Sequence, residues 1–308
     1  MTESPCFFDL QVNGYGGVDF NADDVTDADY HRVCERLAAE GVEGVLATVI
    51  TDQLDTMASR LRRIVRARDE NQVVRNVICG IHIEGPFINE SAGYVGAHPV
   101  DAVRPADVDS MLQLLEAADG LTRIVTLAPE RDDGLKVTQR LSQEGVVVSA
   151  GHCDASLEQL RAAVEVGLSM FTHVGNGCPK NLDRHDNIVQ CALSMSEHLW
   201  CCFIADGVHI PFYTLANYLK AAGIGRSIVV TDAISAAGLG PGQYSVGGQT
   251  VDVDENGVTT IAGDKSHLAG SSVTMQKTAE NLRQNLGLDE TSIRLLTSEN
   301  PRKALSLL

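Results

Sequence analysis

Short apolar runs rich in valine and isoleucine recur along the chain and alternate with amphipathic segments. The eight runs are, in order, FFDLQV, GVLATVI, VICGIHIE, RIVTLAP, VVVSAGH, SMFTHV, CCFIAD and SIVVTD. Most are separated by a segment whose apolar residues recur at helical spacing, such as DADYHRVCERLAAEG or SLEQLRAAVEVG. This alternation is typical of parallel strands that are buried on both faces and joined by right-handed crossovers.

Eight such units predict a TIM (β/α)8 barrel. A barrel of roughly 250 residues with insertions accounts for a chain of 308 residues as a single α/β domain. A doubly wound open sheet is the alternative, but the glycines of NGYGGVDF lead into no helix at the spacing of a dinucleotide fingerprint. We therefore predict that residues 1–308 form one catalytic barrel.

Two regions interrupt the alternation. The loop after the third strand, GPFINESAGYVGAHPV, is long. The region after the eighth strand contains SVGGQTVDV, in which strand residues flank Gly-Gly, so we predict a β-hairpin insertion near residues 240–265. Both follow the carboxyl ends of strands, where barrels build their active sites.

Charge and cysteine content restrict the partners and the compartment. A net charge of −17 disfavours binding to nucleic acid or to an anionic membrane, because both need a basic face. The eight cysteines include no CxxC pair, no secretory signal precedes them, and no apolar run approaches the ~20 residues that span a bilayer. We expect reduced thiols and a cytoplasmic protein.

Polar residues stand at the ends of five predicted strands. They are Glu84 in IHIEGP, His152 in SAGHCD, His173 in FTHVGN, Asp206 and His209 in IADGVHIP, and Asp232 in VVTDA. In a barrel these side chains meet at one mouth. Two imidazoles and one carboxylate hold a divalent ion, Zn²⁺ in the first place and Fe²⁺ as a compatible alternative. Such an ion lowers the pKa of a water toward ~7, and Asp232 is the candidate that takes the proton.

Each of these residues also has a structural interpretation. Glu84 could organise the turn at Gly-Pro, Asp232 could cap the following helix, and Asp206 could orient a neighbour. Cys153 follows His152, but no Cys-His-Asn order supports thiol chemistry. Gln11 is open to three interpretations, as a weak ligand, a substrate contact or a hydrogen-bond partner.

The ordered motifs resemble a known family. DLQVNGYGG, HIEGPF, GHCDAS, THVGN, IADGVHI, VVTDAISAAG and LAGSSVTM, at these spacings, are similar to those of the N-acetylglucosamine-6-phosphate deacetylases of the amidohydrolase superfamily. The resemblance extends from about Asp9 to NPRKAL near the C-terminus.

The resemblance assigns roles to individual positions. It implies one divalent ion per subunit, held by Glu84, His152 and His173, with Asp232 as general base and acid. Gln11 stands where other amidohydrolases have a first-strand histidine, which favours a single-metal site. The substrate-binding positions that it implies are Gln11, His98, Asn176, Gly177, Arg184 and His209. Arg184 matches a phosphate-binding arginine, and a guanidinium suits that role because its planar fork grips two oxygens.

The chain departs from the family pattern in the loop after THV. Gly175 and Gly177 replace an aromatic residue and an alanine, and the unusual CPKNLDRHDN follows. This loop leaves the acyl sugar and the need for a 6-phosphate open. Lys180 and His185 either add to an anion site or are ordinary surface charges.

Family members usually flank the barrel with a small β-sandwich built from both chain ends, and we expect it to be largely missing. They are commonly dimeric, with loop residues that cross to the partner's site. The resemblance therefore implies a homodimer.

The function implied by these residues is hydrolysis of the acetamide of an N-acetylated amino sugar phosphate, first N-acetylglucosamine 6-phosphate. An N-acetylgalactosamine phosphate, an unphosphorylated sugar or an N-acyl amino acid are alternative substrates. The contrasting class is a catalytically silent barrel that binds sugar phosphate, and retention of all the ligands argues against it.

Overall fold

The eight apolar runs form the parallel strands of a barrel. In a computed structural model, which describes residues 6–307 apart from the side chains of residues 264–267, they pair in chain order into one nearly closed sheet. Every residue of the first strand, Phe7–Val12, is buried, as expected for a strand covered on both faces. The predicted TIM barrel is confirmed, while residues 1–5 and 308 of the predicted domain lie outside the described residues.

The strands of the described chain fall into three sheets. The barrel consists of β1 and β4–β10, an antiparallel sheet consists of β11–β14, and β2 pairs with β3. Their bounds are β1 Phe7–Val12, β2 Gly14–Tyr15, β3 Val18–Asp19, β4 Val42–Ile50, β5 Ile78–Glu84, β6 Thr122–Leu127, β7 Val147–Ala150, β8 Leu168–Phe171, β9 Trp200–Ile204, β10 Ser227–Val230, β11 Gly242–Val246, β12 Gln249–Val253, β13 Thr259–Ile261 and β14 Asp264–Leu268.

Helices cover the outside of the barrel. Their bounds are α1 Asp27–Ala39, α2 Leu54–Glu70, α3 Gln72–Val77, α4 Val108–Ala117, α5 Lys136–Gln143, α6 Leu157–Glu165, α7 Ile188–Ser194, α8 Phe212–Ala222, α9 Met275–Leu286, α10 Glu290–Arg294 and α11 Asn300–Ala304. Thr26 and Ser156 begin α1 and α6 with capping boxes, each worth about 0.5–2 kcal/mol.

The helices bury one apolar face against the sheet. On α2, Met57, Leu61 and Ile64 recur at helical spacing and are fully buried. Burial of each such side chain contributes about 1.5–3 kcal/mol, so this face fixes the helix on the barrel. The amphipathic pattern of the sequence thus predicts which side of each helix is buried.

An apolar cluster fills the barrel interior toward the amino ends of the strands. Phe8 and Leu10 of β1 belong to it together with Leu46, Ile124 and Ile228 of other strands. The C-terminal helix closes this end, where the Arg302 guanidinium lies 4.9 Å from the centre of the Phe8 ring. Polar chemistry is thereby confined to the carboxyl ends.

Polar contacts help to close the barrel between β1 and β10. Asn13 N donates to Ala233 O at 2.7 Å, and Thr231 Oγ1 donates to Asp9 Oδ2 at 2.5 Å. Burial raises the pKa of Asp9 to about 7, although the hydrogen bonds from Thr231 and from the Gln11 backbone oppose the shift. A buried carboxyl group therefore forms part of the closing seam.

The antiparallel sheet lies against the mouth of the barrel. Gly247 and Gly248 join β11 to β12 with φ of 55° and 80°, the positive values that a tight hairpin turn requires. Gln249 Nε2 donates to Ala97 O at 3.0 Å and so links this sheet to the long loop after β5. The two regions that interrupt the sequence pattern meet at one face.

Residues 6–307 contain no separate β-sandwich, since their β structure outside the barrel is the four-stranded sheet and the β2–β3 pair. Among the helices of this part of the chain, none is long and apolar enough to cross a membrane.

Candidate active site

A cavity of about 820 Å³ opens at the carboxyl ends of the barrel strands. Most of the predicted site residues line it: Glu84, His98, His152, His173, Asn176, Gly177, His209 and Asp232. Gln11 is 1% exposed and hydrogen-bonds to two of these residues. Arg184 is exposed and does not line the cavity.

Glu84 is the centre of the charged cluster. Its Oε1 lies 3.0 Å from His173 Nε2 and 3.3 Å from His152 Nε2. Burial opposes ionisation of this carboxyl, but the two histidine contacts outweigh it and hold the pKa of Glu84 well below its usual range. Three strands, β5, β7 and β8, supply these residues from their carboxyl ends.

The hydrogen bonds of His152 indicate a cation between the two side chains. His152 Nδ1 lies 2.7 Å from Tyr94 O, and a carbonyl oxygen can only accept, so this nitrogen carries the proton. In the neutral ring Nε2 then has a lone pair, which faces Glu84 Oε1. Only a proton or a metal ion makes that contact favourable, and a protonated backing nitrogen is usual for a metal-binding histidine. The residues therefore fit a divalent ion.

His98 enlarges the candidate ligand set. The ligand atoms of Glu84, His98 and His152 lie within 4.8 Å of one another, a grouping that differs from the predicted one by including His98 in place of His173. His98 lies on the loop after β5, and its Nδ1 contacts Thr51 Oγ1 at 2.7 Å. We favour His173 because its Nε2 lies closer to Glu84 Oε1 than that of His152, at 3.0 Å against 3.3 Å, and because it lies just beyond the end of β8.

Strained backbone marks three of these positions. His152, His173 and Asp232 have φ of 50°, 31° and 52°, in the left-handed region that residues with a Cβ rarely adopt. Such strain costs of order 1–3 kcal/mol per residue and is concentrated at functional sites. Here it aims the side chains that follow β7, β8 and β10 into the cavity.

Asp232 is held from the first strand. Its Oδ1 accepts hydrogen bonds from Gln11 Nε2 at 3.0 Å and from Asn13 Nδ2 at 2.8 Å. Burial, followed by the negative charge of Glu84, raises the pKa of Asp232 to about 6. A carboxyl with this pKa can both take and return a proton near neutral pH.

Asp206 orients His209. Asp206 Oδ2 lies 2.6 Å from His209 Nδ1, and its Oδ1 accepts from the backbone N–H groups of Val208 and His209. Burial opposes ionisation of Asp206, but the hydrogen bond to His209 outweighs it and lowers the pKa. This pair fixes an imidazole at the side of the cavity.

The loop of residues 174–187 brings Lys180, and not Arg184, to the cavity. Gly177 has φ of 60°, and a Cβ there would lie 3.0 Å from His152 Nδ1, so the loop passes directly over a candidate ligand. At Gly175 a Cβ would meet the Tyr218 ring at 3.2 Å. The two glycines that depart from the family pattern let the loop pack closely.

A buried histidine lies beneath the cluster. His82 Nδ1 donates to Leu10 O at 3.1 Å, so its Nε2 accepts from Thr126 Oγ1 at 2.7 Å. Burial lowers the pKa of His82 to about 4, which keeps the ring neutral. Thr126 Oγ1 is also hydrogen-bonded to Thr172 Oγ1, at 2.7 Å. This chain of hydrogen bonds connects β1, β5 and β6 to the segment that carries His173.

Cys153 is a packing residue. Its side chain is 1% exposed, and burial raises the pKa of the thiol well above its usual range. A thiol that stays protonated is a poor nucleophile.

Sequence reasoning did not assign Asn13, Thr51, Tyr94 and His82 to the site. Asn13 is two residues from Gln11, and His82 is two residues from Glu84. Residues two apart on a strand point to the same face, and this spacing could have indicated both. Thr51 and Tyr94 reach the site through loop geometry, for which the sequence holds no pattern.

The barrel and its cluster of Glu84, histidines and Asp232 define a barrel hydrolase with a His/Glu group able to hold a metal ion. An N-acetylglucosamine-6-phosphate deacetylase of Bacillus subtilis is 32% identical to this chain over 305 residues, which are 98% of this chain and 75% of the relative. The chain belongs to the N-acetylglucosamine-6-phosphate deacetylase family.

Further comparisons agree with this assignment. A solved structure of a mutant Mycobacterium smegmatis N-acetyl-D-glucosamine-6-phosphate deacetylase, in complex with N-acetyl-D-glucosamine-6-phosphate, superposes with a TM-score of 0.88 at 30% identity. The match covers 99% of this chain and 78% of that one. An N-acetylgalactosamine-6-phosphate deacetylase of Escherichia coli is 30% identical over 98% of this chain and 78% of its own length. No protein-family model matches the chain.

Proposed function

We propose that this protein is a metal-dependent deacetylase that converts N-acetylglucosamine 6-phosphate to glucosamine 6-phosphate and acetate. The observation that carries the proposal is the convergence of Glu84, His152, His173 and Asp232 at one cavity. Family membership supplies the reaction class, and the residues at the cavity match what that chemistry needs.

The metal site that we propose consists of Glu84, His152 and His173, and it holds one ion per subunit. Two nitrogens and one oxygen suit Zn²⁺ first, with Fe²⁺ or another divalent ion as alternatives. When bound, such an ion acidifies a water and polarises the amide carbonyl of the substrate. His152 is prepared for this role, because its Nδ1 proton is already engaged by Tyr94 O.

Asp232 moves the proton in this proposal. Its carboxylate takes a proton from the attacking water and delivers it to the nitrogen of the leaving amine. His98 lies beside His152, with ring centres 4.5 Å apart, and contacts the acetyl oxygen. That contact is a hydrogen bond from His98 Nε2 when the Thr51 hydroxyl turns its proton to His98 Nδ1, at 2.7 Å, and away from Glu84 O, at 3.3 Å.

The phosphate of the substrate requires a local positive site, because the net charge of the chain is −17. Lys180 lines the cavity and brings a cationic side chain to it. Asn176 lines it too, and its Nδ2 is buried without a hydrogen-bond partner within the described chain. We propose that Lys180, Asn176 and Gly177 contact the phosphate, while His209 contacts the sugar.

Arg184 is exposed and does not line the cavity of its own subunit. We propose a homodimer in which Arg184 reaches the phosphate bound by the partner. The proposal keeps the predicted role of Arg184 and changes the subunit on which it acts.

N-acetylgalactosamine 6-phosphate is the second candidate substrate. The Escherichia coli relative named for that sugar is nearly as similar to this chain as the Bacillus subtilis deacetylase, at 30% against 32% identity. The two sugars differ in the orientation of one hydroxyl group, which His209 or the loop of residues 174–187 would have to distinguish.

The buried thiols of Cys34, Cys153, Cys191, Cys201 and Cys202 are unpaired. Such thiols suit a reducing compartment, and we propose a cytoplasmic location.

Acetate release tests the proposal. Purified protein is supplied with Zn²⁺ and incubated with N-acetylglucosamine 6-phosphate, N-acetylgalactosamine 6-phosphate and unphosphorylated N-acetylglucosamine, with Asp232→Asn as control. We expect acetate from the first substrate at the highest kcat/KM. Binding of metal and sugar phosphate without acetate release would identify a silent binding barrel instead.

A further inference from the structure

The end of β1 presents two amide side chains to Asp232. Gln11 and Asn13 are two residues apart and are 1% and 4% exposed. The pairing of β1 with β4 is irregular between Asp9 and Val12. Asp9 pairs with Val45 and Val12 pairs with Ala47, so β1 has one more residue than β4 between these two pairs. This extra residue re-aims the end of the strand, so that both amides face the barrel mouth.

The orientation of both amides follows from their partner. A carboxylate oxygen can only accept, so the NH₂ group of each amide must face Asp232 Oδ1. The two nitrogens lie 3.0 Å and 2.8 Å from that single oxygen. None of the hydrogen bonds described for residues 6–263 and 268–307 uses the other oxygen, Oδ2, which is left for the cavity.

We propose that Gln11 and Asn13 form an amide clamp, a pair of positioning residues that hold Asp232 Oδ1 so that Oδ2 faces the water and the leaving nitrogen. The inference rests on the proposed function, in which Asp232 moves the proton. The clamp lies at the strand end where other amidohydrolases have histidines. In this chain, the residues at these two positions orient the base, Asp232, instead of binding a metal ion.

The backbone makes the clamp rigid. Asn13 N and Gly14 N both donate to Ala233 O, at 2.7 Å and 3.1 Å, directly after Asp232. On the other side, Ser271 N donates to Asp232 O at 3.0 Å. The side chain of Asp232 is therefore fixed by amides that are themselves tied to its own strand end.

The two amides differ in one respect that can be tested. Gln11 Nε2 also lies 3.1 Å from each oxygen of Glu84, so one of its protons faces the candidate metal ligand and the other faces the base. Asn13 Nδ2 contacts Asp232 and no metal-binding candidate. Loss of Asn13 should disturb proton transfer alone, whereas loss of Gln11 should disturb proton transfer and metal binding together.

The experiment compares Asn13→Ala, Asn13→Asp and Gln11→Ala with wild type, all loaded with Zn²⁺. For Asn13→Ala we expect kcat to fall about 10–100-fold, since a small misplacement of a reacting group has costs of this size. KM and the affinity for Zn²⁺ should change less than about 3-fold. Asn13→Asp keeps the shape but removes the donor and adds a negative charge, so its kcat should fall further. Gln11→Ala should weaken Zn²⁺ binding as well.

Asn300→Ala is the matched control. Asn300 is also a buried asparagine that donates through Nδ2, but it binds Ile224 O and Ser227 O at the opposite end of β10. Its replacement should lower the melting temperature and leave kcat unchanged. An equal loss of kcat in Asn300→Ala would assign the Asn13 effect to general destabilisation.

A double-mutant cycle with Asp232→Asn separates positioning from a merely structural role. If Asn13 acts through Asp232, then Asn13→Ala costs little further kcat once Asp232 is replaced. Additive losses would overturn the clamp. Should the wild-type protein release no acetate, the proposed function fails, and crystal structures still decide on the clamp. If the Asp232 side chain keeps a single, unchanged conformation in the crystal structure of Asn13→Ala, the clamp is overturned. A displaced side chain, or two alternative conformations, supports the clamp.

Discussion

His173 Nε2 lies 3.0 Å from Glu84 Oε1, although 89 residues separate the two along the chain. Glu84 ends β5 and His173 lies two residues beyond the end of β8, and both side chains are almost fully buried. His152 approaches the same oxygen from a third strand.

Replacement of Glu84 or of His173 should strongly weaken metal binding. We expect Glu84→Gln and His173→Ala to lower the affinity for Zn²⁺ by more than the roughly 10–100-fold that loss of an outer hydrogen-bond partner costs. Chelator competition measures the change. His185→Ala, at an exposed histidine, is the control and should keep the wild-type affinity. Full Zn²⁺ affinity in His173→Ala, with loss in His98→Ala, would assign the third ligand to His98.

Asp232→Asn should lower kcat by about 10²–10⁴-fold and leave KM and metal content unchanged, because it removes the proton carrier and keeps the shape. The pKa of Asp232 is raised to about 6, and the base must be ionised to act. Activity should therefore fall as pH drops through about 6 in the wild type. A residual Asp232→Asn activity with the same acid limb would show that another group titrates.

Lys180→Ala should raise KM for the phosphorylated sugar by about 10-fold or more, since a hydrogen bond to a charged group contributes about 1.5–3 kcal/mol. The unphosphorylated sugar should be unaffected, because it lacks the group that Lys180 contacts. Steady-state kinetics on both sugars measure the difference. Lys136→Ala, at an exposed lysine on α5, serves as the charge-matched control. Equal KM changes on both sugars would remove Lys180 from phosphate recognition.

A shared active site predicts complementation. Arg184→Ala and Asp232→Asn homodimers should both be impaired, whereas mixed dimers contain one cavity with an intact Asp232 and an Arg184 supplied by the partner. Mixing the two proteins under conditions of subunit exchange should therefore restore activity. If activity stays at the mean of the two variants, Arg184 does not act across the interface.

Asp9 should make stability depend on pH. Its pKa is raised from 3.8 to about 7 in the folded protein, so the folded state binds a proton that the unfolded state releases. The free energy of unfolding is therefore highest below about pH 4 with respect to this group and falls as pH rises to about 7. The full effect is on the order of 4 kcal/mol.

Asp9→Asn keeps the shape of the neutral carboxyl group and should flatten this decline in urea unfolding between pH 4 and pH 7. A slope equal to that of the wild type would mean that Asp9 is ionised throughout, held by its three hydrogen-bond donors.

The strand-end residues could be predicted because barrel geometry alone brings them together. Once Glu84, His152 and His173 are placed at the carboxyl ends of parallel strands, their meeting requires no knowledge of the loops. Contacts that depend on loops and irregular pairing could not be predicted. The shift between Asp9 and Val12 decides that Gln11 faces Glu84 and Asp232, and hydrophobic periodicity does not record it.

The loop of residues 174–187 is the second example. The family resemblance implies Arg184 as the phosphate-binding residue, whereas the turn of this loop brings Lys180 to the cavity. Lys180 and Arg184 are four positions apart in a loop. Outside helices and strands, the spacing along the chain does not predict which of the two reaches the cavity.

Stepwise metal addition tests the central claim most directly. Metal-free protein is titrated with Zn²⁺, and acetate release from N-acetylglucosamine 6-phosphate is measured at each point. A one-metal deacetylase predicts that activity rises linearly and reaches its plateau at one ion per chain. Full acetate release before any metal is added, or none at saturation with either Zn²⁺ or Fe²⁺, would contradict it.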